Sequence, residues 1–360
     1  MANKSIYVTQ PSLAPLKDVI PYLERIWETG IMTHNGPLMQ QLEKELSDYL
    51  GVSDVVCLVN GTCALQLAIR ALDLKGEIIT TPFTFIATSN IIAWERCRPV
   101  FVDIDPDTWN IDPDKIEERI TEKTSAILPV HVFSAPCNIR RIEQIAKKFD
   151  LKVIYDAAHA MCVNYNGKSI MSYGDVSCTS FHATKLFNTC EGGACITNDE
   201  ELAERIRRMR FFGFNERKEI VADGMNAKMT EISAGLGLAN LRHLDYVRKN
   251  RQKKYEIYRS ILAGCTFINF QKYYPDEYNY SYMPVLFDSE KTLLQTIEKL
   301  NAENVFPKRY FYPALHDTPI FDDITLPMAE SIAKTILCLP LYDSLNEEDI
   351  TKICEVILQV

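Results

Sequence analysis

The chain has 360 residues, of which 47% are hydrophobic and 24% charged, and a formal net charge of −9. That composition excludes a chain dominated by disorder, and the length suits one large α/β domain with a smaller companion. The acidic balance argues against a general surface for nucleic acid or anionic membrane, so any phosphate must be held by local amides and a few cations.

Short apolar runs alternate with helix-period segments from Val55 to Thr197, the rhythm of a mostly parallel sheet. Val55 to Val59 reads as a strand and Ala64 to Ala71 as the helix behind it. Further strands are expected over Glu77 to Thr81, Val100 to Ile104, Ala126 to Val130 and Lys152 to Asp156. Before the last of these, Ile139, Ile142, Ile145, Ala146 and Phe149 share one face at a 3.6-residue period. Val176 to Phe181 and Gly193 to Thr197 read as two more strands, and Asp199 caps a helix with Leu202, Ala203, Ile206 and Met209 inward. Thr230 and Glu231 open a long helical stretch to about Leu262, interrupted by Gly235 and Gly237 facing a close neighbour. A domain boundary is placed inside that helix, giving 1–250 as the large domain and 251–360 as the small one. The tail carries a strand over Tyr282 to Phe287 and three helices, the last over Glu347 to Leu358, as in a small α+β domain.

Eleven cysteines are scattered without a C-x-x-C pair, and Cys190 and Cys195, flanking a glycine pair, read as small buried residues. Met1 to Lys4 carries no secretory signal, so reduced thiols in a cytoplasmic protein are expected. No apolar run reaches the ~18 residues a membrane span needs.

Lys185 follows Ser180-Phe181-His182-Ala183-Thr184 and precedes Glu191-Gly192-Gly193; Asp156 ends the apolar run Val153-Ile154-Tyr155. One chemistry needs both groups. A lysine amine condenses with the aldehyde of pyridoxal 5′-phosphate (PLP), and a carboxylate at a strand end keeps the pyridine nitrogen protonated. Lys185 could otherwise be a surface lysine and Asp156 a helix N-cap. His159 is either a partner for the ring's phenolic oxygen or a satisfied core histidine. Asn60-Gly61-Thr62, between strand and helix, offers amides and a hydroxyl to phosphate, and Ser180 offers a second hydroxyl. Phe85 is a candidate to stack on the ring, or a core aromatic. Lys308, Arg309, Tyr310 and Tyr312 form a basic-aromatic patch suited to a diphosphate and a sugar face, or a solvated loop.

Together these residues resemble the DegT/DnrJ/StrS family of PLP-dependent sugar aminotransferases, a branch of the fold-type I (aspartate aminotransferase-like) superfamily. The resemblance begins at Gly30-Ile31-Met32-Thr33-His34-Asn35-Gly36-Pro37. It continues through Leu42-Glu43, Asn60-Gly61-Thr62, Pro129-Val130-His131-Val132-Phe133, Asp156-Ala157-Ala158-His159-Ala160 and the lysine segment, and ends with Arg309-Tyr310-Phe311-Tyr312-Pro313-Ala314-Leu315-His316. It implies a large domain with a seven-stranded, mostly parallel sheet. It implies Lys185 as the covalent attachment point, Asp156 on the ring nitrogen, and Gly61, Thr62 and Ser180 on phosphate. Phe85 would lie on the ring face and His159 at the phenolic oxygen, where many relatives have Gln. Asn226 matches an asparagine that reaches the neighbouring subunit's phosphate, which implies a homodimer with shared active sites. Asn35 is expected at the substrate.

The resemblance also implies L-glutamate as donor and a nucleotide-linked 4-keto-6-deoxy sugar as acceptor. The lysine segment favours dTDP-4-keto-6-deoxy-D-glucose, aminated at the 4-position for surface polysaccharide such as O-antigen. A 3-keto or UDP sugar, or a non-catalytic regulatory protein on the same fold, is the alternative; a dehydratase would carry histidine at Lys185. No metal, nucleic-acid or membrane partner is expected. Two departures stand out: Met161-Cys162 where relatives often have Phe-Gly, and Ser134-Ala135 in place of the more usual Gly-Asn. Both are expected to shape the substrate pocket rather than carry the chemistry.

Overall fold

The computed structural model describes residues 5–273, 278–321 and 324–360; Met1 to Lys4, read above as free of a secretory signal, lie outside them. Its centre is a seven-stranded sheet. The strands are β1 (Asp54–Leu58), β2 (Glu77–Thr80), β3 (Arg98–Phe101), β4 (Thr124–Leu128), β5 (Lys152–Asp156), β6 (Val176–Ser180) and β7 (Gly193–Thr197). Their order across the sheet is β1-β7-β6-β5-β4-β2-β3. Five of the expected strands shift by one to three residues at their ends; those over Lys152–Asp156 and Gly193–Thr197 match at both ends. The sheet is mixed. β7 runs antiparallel to both neighbours, and the remaining pairings are parallel.

The reversal at β7 has a simple cause. Parallel neighbours need a crossover, usually a helix, whereas antiparallel neighbours can be joined by a loop. Residues 181–192 between β6 and β7 form no helix, so the chain turns straight back. Lys185 rides on that returning loop.

Helices cover both faces, which is why β2 and β7 are buried along their whole length. They are α1 (Leu16–Thr29), α2 (Pro37–Leu50), α3 (Gly61–Ala71), α4 (Ile86–Trp94), α5 (Ile139–Phe149), α6 (Glu200–Met209) and α7 (Glu231–Leu262). On α5 the residues Ile139, Ile142, Ile145 and Ala146 are buried as expected, but Phe149 is not. Lys147, Lys148 and Phe149 at the end of α5 are all exposed, and Lys148 Nζ lies 4.8 Å from the Phe149 ring centroid. Gly235 and Gly237 do not interrupt α7, which is continuous because both are packed inside it, but they do face close neighbours: a Cβ at Gly237 would stand 2.7 Å from Thr189 Cγ2.

Beyond α7 a three-stranded antiparallel sheet combines β8 (Ile268–Asn269), β9 (Met283–Phe287) and β10 (Ile336–Leu339). α8 (Glu290–Ala302), α9 (Pro327–Thr335) and α10 (Glu347–Leu358) accompany it. The single strand expected in the tail is therefore one of three in this sheet. β10 follows α9 without a break and is wholly apolar and buried, so nothing in its pattern separates it from the helix. α7 serves two apolar clusters. Ala234, Leu238, Leu244 and Val247 pack in the core of the large sheet, and Tyr255, Tyr258 and Leu262 pack against β9 and α10.

All eleven cysteines are free thiols. Cys190, expected buried, is exposed: it sits at φ +68° in the loop after Lys185, turned out of the sheet that buries Cys195. No helix among the described residues is long and apolar enough to cross a membrane.

Candidate active site

Three strand ends meet on one edge of the large sheet. Asp156 ends β5 and Ser180 ends β6, with Asp156 in register with Cys178. β1 also ends here, because Gly193 pairs with Leu58 on one side and Ser180 on the other. Asn60 then caps α3, its Oδ1 accepting from the Cys63 N–H at 2.8 Å, and leaves the amides of Gly61 and Thr62 open at the helix N-terminus. The carboxyl edge of such a sheet is where ligands collect.

Two glycines make this corner close enough to cradle an anion. A Cβ on Gly61 would lie 2.9 Å from Ser180 Cβ, and one on Gly193 would lie 2.5 Å from the Asn60 carbonyl carbon. Both approaches are shorter than carbon atoms tolerate, so any side chain would push the α3 turn off the end of β6. Thr62 is exposed at the same turn and Ser180 half-buried. Gly61, Thr62 and Ser180 thus form one cup.

Lys185 is half-buried, and its Nζ donates to Tyr282 Oη at 3.3 Å. Burial lowers its pKa to about 8, with the charge of Asp156 holding it from falling further. Asp156 is only 7% exposed; Thr88 Oγ1 donates to its Oδ2 at 2.8 Å and the Ala158 N–H to its Oδ1 at 3.1 Å. Burial raises its pKa despite those bonds and the Lys185 charge. It forms no ion pair among the described residues, and a buried carboxylate left with neutral partners is a site short of a cation. His159 is buried, and its Nδ1 accepts from the Phe133 N–H at 3.2 Å. Burial first, and then the Lys185 charge, hold the imidazole neutral. The accepting Nδ1 puts the proton on Nε2.

Aromatic rings wall this group. The Tyr282 ring lies 4.6 Å from the His159 ring, and Phe133 stacks parallel to His159 at 6.1 Å. Phe133 and Ser134 both adopt left-handed backbone, φ +50° and +78°, a strained choice for either residue. Buried hydrogen bonds hold it: Ser134 Oγ donates to the His159 carbonyl at 2.6 Å, and Tyr278 Oη donates to the Phe133 carbonyl at 2.6 Å. Glycine suits such a φ, and at position 134 this chain spends its serine hydroxyl on the residue beside the lysine. Met161 lines the Lys185 pocket, so both departures border the site. Phe85 is 63% exposed, which removes the core-aromatic reading. It stands at the N-terminus of α4, one turn before Thr88, the residue that holds Asp156.

Other candidates lie apart from this pocket. Asn226 is exposed, bridges Phe211 through the backbone and accepts from Lys228 Nζ. Asn35 adjoins the same surface, accepting from Arg210 Nη2 at 3.2 Å, while Arg210 is ion-paired with Glu43. Of the basic-aromatic patch, Tyr310 packs edge-on against Tyr282 at 5.7 Å. Lys308 Nζ covers the Tyr310 ring at 4.9 Å. Arg309 is committed elsewhere: it donates to Glu290 Oε1 at 2.7 Å and to the Lys334 carbonyl at 2.8 Å, with the exposed Tyr312 ring stacked on it.

Residues 16–358 match the DegT/DnrJ/EryC1/StrS aminotransferase family. The chain belongs to that family. It is 42% identical to the dTDP-4-amino-4,6-dideoxy-D-glucose transaminase of Escherichia coli, over 99% of each chain. Among solved structures, this family member is similar to DesI crystallised with its TDP-sugar product (TM-score 0.94, 32% identity, 99% of this chain and 92% of that one). It is also similar to NtdA from Bacillus subtilis with bound cofactor PMP (TM-score 0.89, 30% identity, 100% and 86%).

Sequence reasoning missed several residues that complete this aminotransferase's site. Thr88 follows Thr84 by one helical turn and bonds to it at 3.0 Å, a spacing that could have been noticed. Phe133 was visible only as part of a motif. Tyr282 stands 97 positions from Lys185, and no local pattern links them. The observed donor set fits PLP: an amine of lowered basicity, a buried carboxylate without a cation, and an anion cup at a helix N-terminus. A metal is a poorer fit. Among the described residues the grouping with metal-ligand spacing is His316, Asp317 and Glu330, where Glu330 Oε1 already takes the Leu326 N–H and pairs with His316 Nε2.

Proposed function

We propose that this chain transfers an amino group from L-glutamate to dTDP-4-keto-6-deoxy-D-glucose, giving dTDP-4-amino-4,6-dideoxy-D-glucose. The observation that carries the proposal is the end-to-end identity of 42% to the E. coli transaminase, with Lys185 and Asp156 on one sheet edge. PLP, when bound, supplies an aldehyde that captures amines and an electron-poor ring that stabilises negative charge at the substrate's α-carbon. Lys185 Nζ is assigned both attachment of the cofactor and movement of the proton to and from that carbon. A pKa of about 8 lets the freed amine accept that proton near neutral pH. Asp156 is assigned to hold a proton on the ring nitrogen, its carboxylate kept in place by Thr88 and the Ala158 N–H. Gly61, Thr62 and Ser180 would grip the phosphate, Phe85 would cover the ring, and His159 would meet the phenolic oxygen through Nε2–H.

Purified protein with PLP and glutamate, offered a panel of dTDP-, UDP- and GDP-linked 4-keto and 3-keto sugars, tests this reading. The dTDP 4-keto-6-deoxy sugar is expected to be aminated with the highest kcat/KM, read as product mass and 2-oxoglutarate release. Preference for a 3-keto or UDP sugar would overturn the substrate assignment. We place the enzyme in the cytoplasm, feeding surface polysaccharide such as O-antigen.

Two structural expectations belong to the same reading. Because α7 joins two apolar clusters, 1–250 and 251–360 are taken as large and small domains, divided near Arg251. The family resemblance implies that Asn226 reaches the phosphate of a partner subunit in a homodimer, and its exposure apart from the Lys185 pocket is compatible with that assignment. Asn226→Ala is then expected to weaken PLP binding about tenfold, measured by fluorescence titration, with the dimer retained on size exclusion. An active monomer would remove Asn226 from the site.

A further inference from the structure

The mechanism above leaves the half-buried phenol of Tyr282 without a task. Tyr282 Oη lies 3.3 Å from Lys185 Nζ, and among the described residues this is the only hydrogen-bond partner either group has. The lysine side chain is long and flexible, so a single acceptor decides where its amine points.

The tyrosine is better fixed than the lysine. Its ring is wedged between His159 at 4.6 Å, Phe133 at 5.4 Å and Tyr310 at 5.7 Å. Behind it, the buried guanidinium of Arg251 donates to the Ser281 carbonyl at 3.4 Å and to Ser12 Oγ at 3.4 Å. Asn279 also bonds to the Ser281 N–H and to the carbonyls of His159 and Met161. The segment carrying Tyr282 is therefore tied to the segment carrying His159.

We propose that Tyr282 is a positioning residue for the transfer reaction: its hydroxyl oxygen receives the Lys185 ammonium and holds the amine in the orientation from which it exchanges a proton with the substrate carbon. Tyr282 acts through Lys185, so the inference rests on the role assigned to that lysine. The groups facing this pair are the Asp156 carboxylate and neutral His159 on the lysine side, and Arg251, Tyr310 and Cys338 around the tyrosine.

An acceptor on an ammonium stabilises its charged form, so removing it lowers the amine's pKa. It also releases the amine to wander. Tyr282→Phe, which keeps the ring packing, should move two readouts in opposite directions. In protein stripped of cofactor, acylation of Lys185 by an amine-selective reagent, followed against pH by peptide mass spectrometry, reports the first. The midpoint, expected at about 8 in the wild type, should fall by about half to one unit in the variant. Lys185 should therefore acylate about three to ten times faster near neutral pH. Turnover of the PLP-loaded variant should fall about tenfold or more in kcat, with both KM values within about twofold. Tyr282→Leu, which also removes the aromatic wall, should show the same fall in midpoint. An unchanged midpoint with unchanged kcat in the Phe variant would overturn the proposal while leaving Lys185 in its role. Failure of wild-type Lys185 to capture PLP would instead overturn the reading beneath it.

Discussion

Lys185→Ala is expected to abolish amino transfer, lowering kcat by about 10⁴-fold or more. The loss is large because one atom serves two purposes. Under the proposed assignment Nζ would anchor the cofactor and, when free, would serve as the base for the substrate's α-carbon. No neighbour can substitute. His159 is held neutral by burial, with Nδ1 already accepting from the Phe133 N–H, and Tyr282 is pushed upward in pKa by burial, so neither offers a ready basic lone pair. The variant should still fold and bind PLP through the phosphate cup, but borohydride should no longer fix the cofactor to the protein. Retained turnover, or cofactor fixed by borohydride at another lysine, would refute the assignment. Added methylamine should restore part of the rate, because a small amine can enter the space the side chain leaves.

Asp156→Asn should be nearly as damaging to turnover, by about a thousandfold, while sparing the fold. A neutral amide cannot hold the ring nitrogen protonated, so the ring loses most of its power to accept charge. The fold should tolerate the exchange because Thr88 Oγ1 can turn to accept from the new amide and donate instead to Thr84, 3.0 Å away. The stability effect has a definite sign. An acid whose folded-state pKa lies above its unfolded value supports the fold at low pH, and that support is lost as pH rises through the folded value. Burial raises Asp156 in this direction. Cofactor-free Asn variant should therefore melt no lower than wild type at neutral pH, by calorimetry, and the wild type should gain on it as the solution is acidified. A near-native rate, or a sharply lower melting temperature at neutral pH, would count against this account of Asp156.

The strand-end chemistry was readable because its signals are local. An apolar run closing in a carboxylate marks β5 and Asp156, and small residues around a lysine mark the loop before β7. The cup at Gly61 was also visible, although the need for glycine there comes from Ser180, far away in sequence. What stayed hidden depends on distance or on ambiguous pattern. α1 and α2 precede the first strand of the large sheet and were not anticipated; each contains a proline, Pro21 within α1 and Pro37 at the start of α2. β10 merges with α9 in composition. Tyr282 belongs to the tail and meets Lys185 only because β9 and the Asn279 bonds bring the tail against the large sheet. Arg309 looked free for a diphosphate, and only the fold reveals that Glu290 claims it.

One long rod runs through both packing centres. α7 spans 32 residues, about 48 Å at 1.5 Å per residue, and is helical without interruption from the large sheet to the tail. A molecule whose halves meet through a loop can swing on a few torsions. Here any opening between the sheet edge with Lys185 and the tail with Tyr282 must bend a continuous ladder of backbone hydrogen bonds. Sugar entry is thus better served by displaced side chains and loops than by large swings of whole bodies.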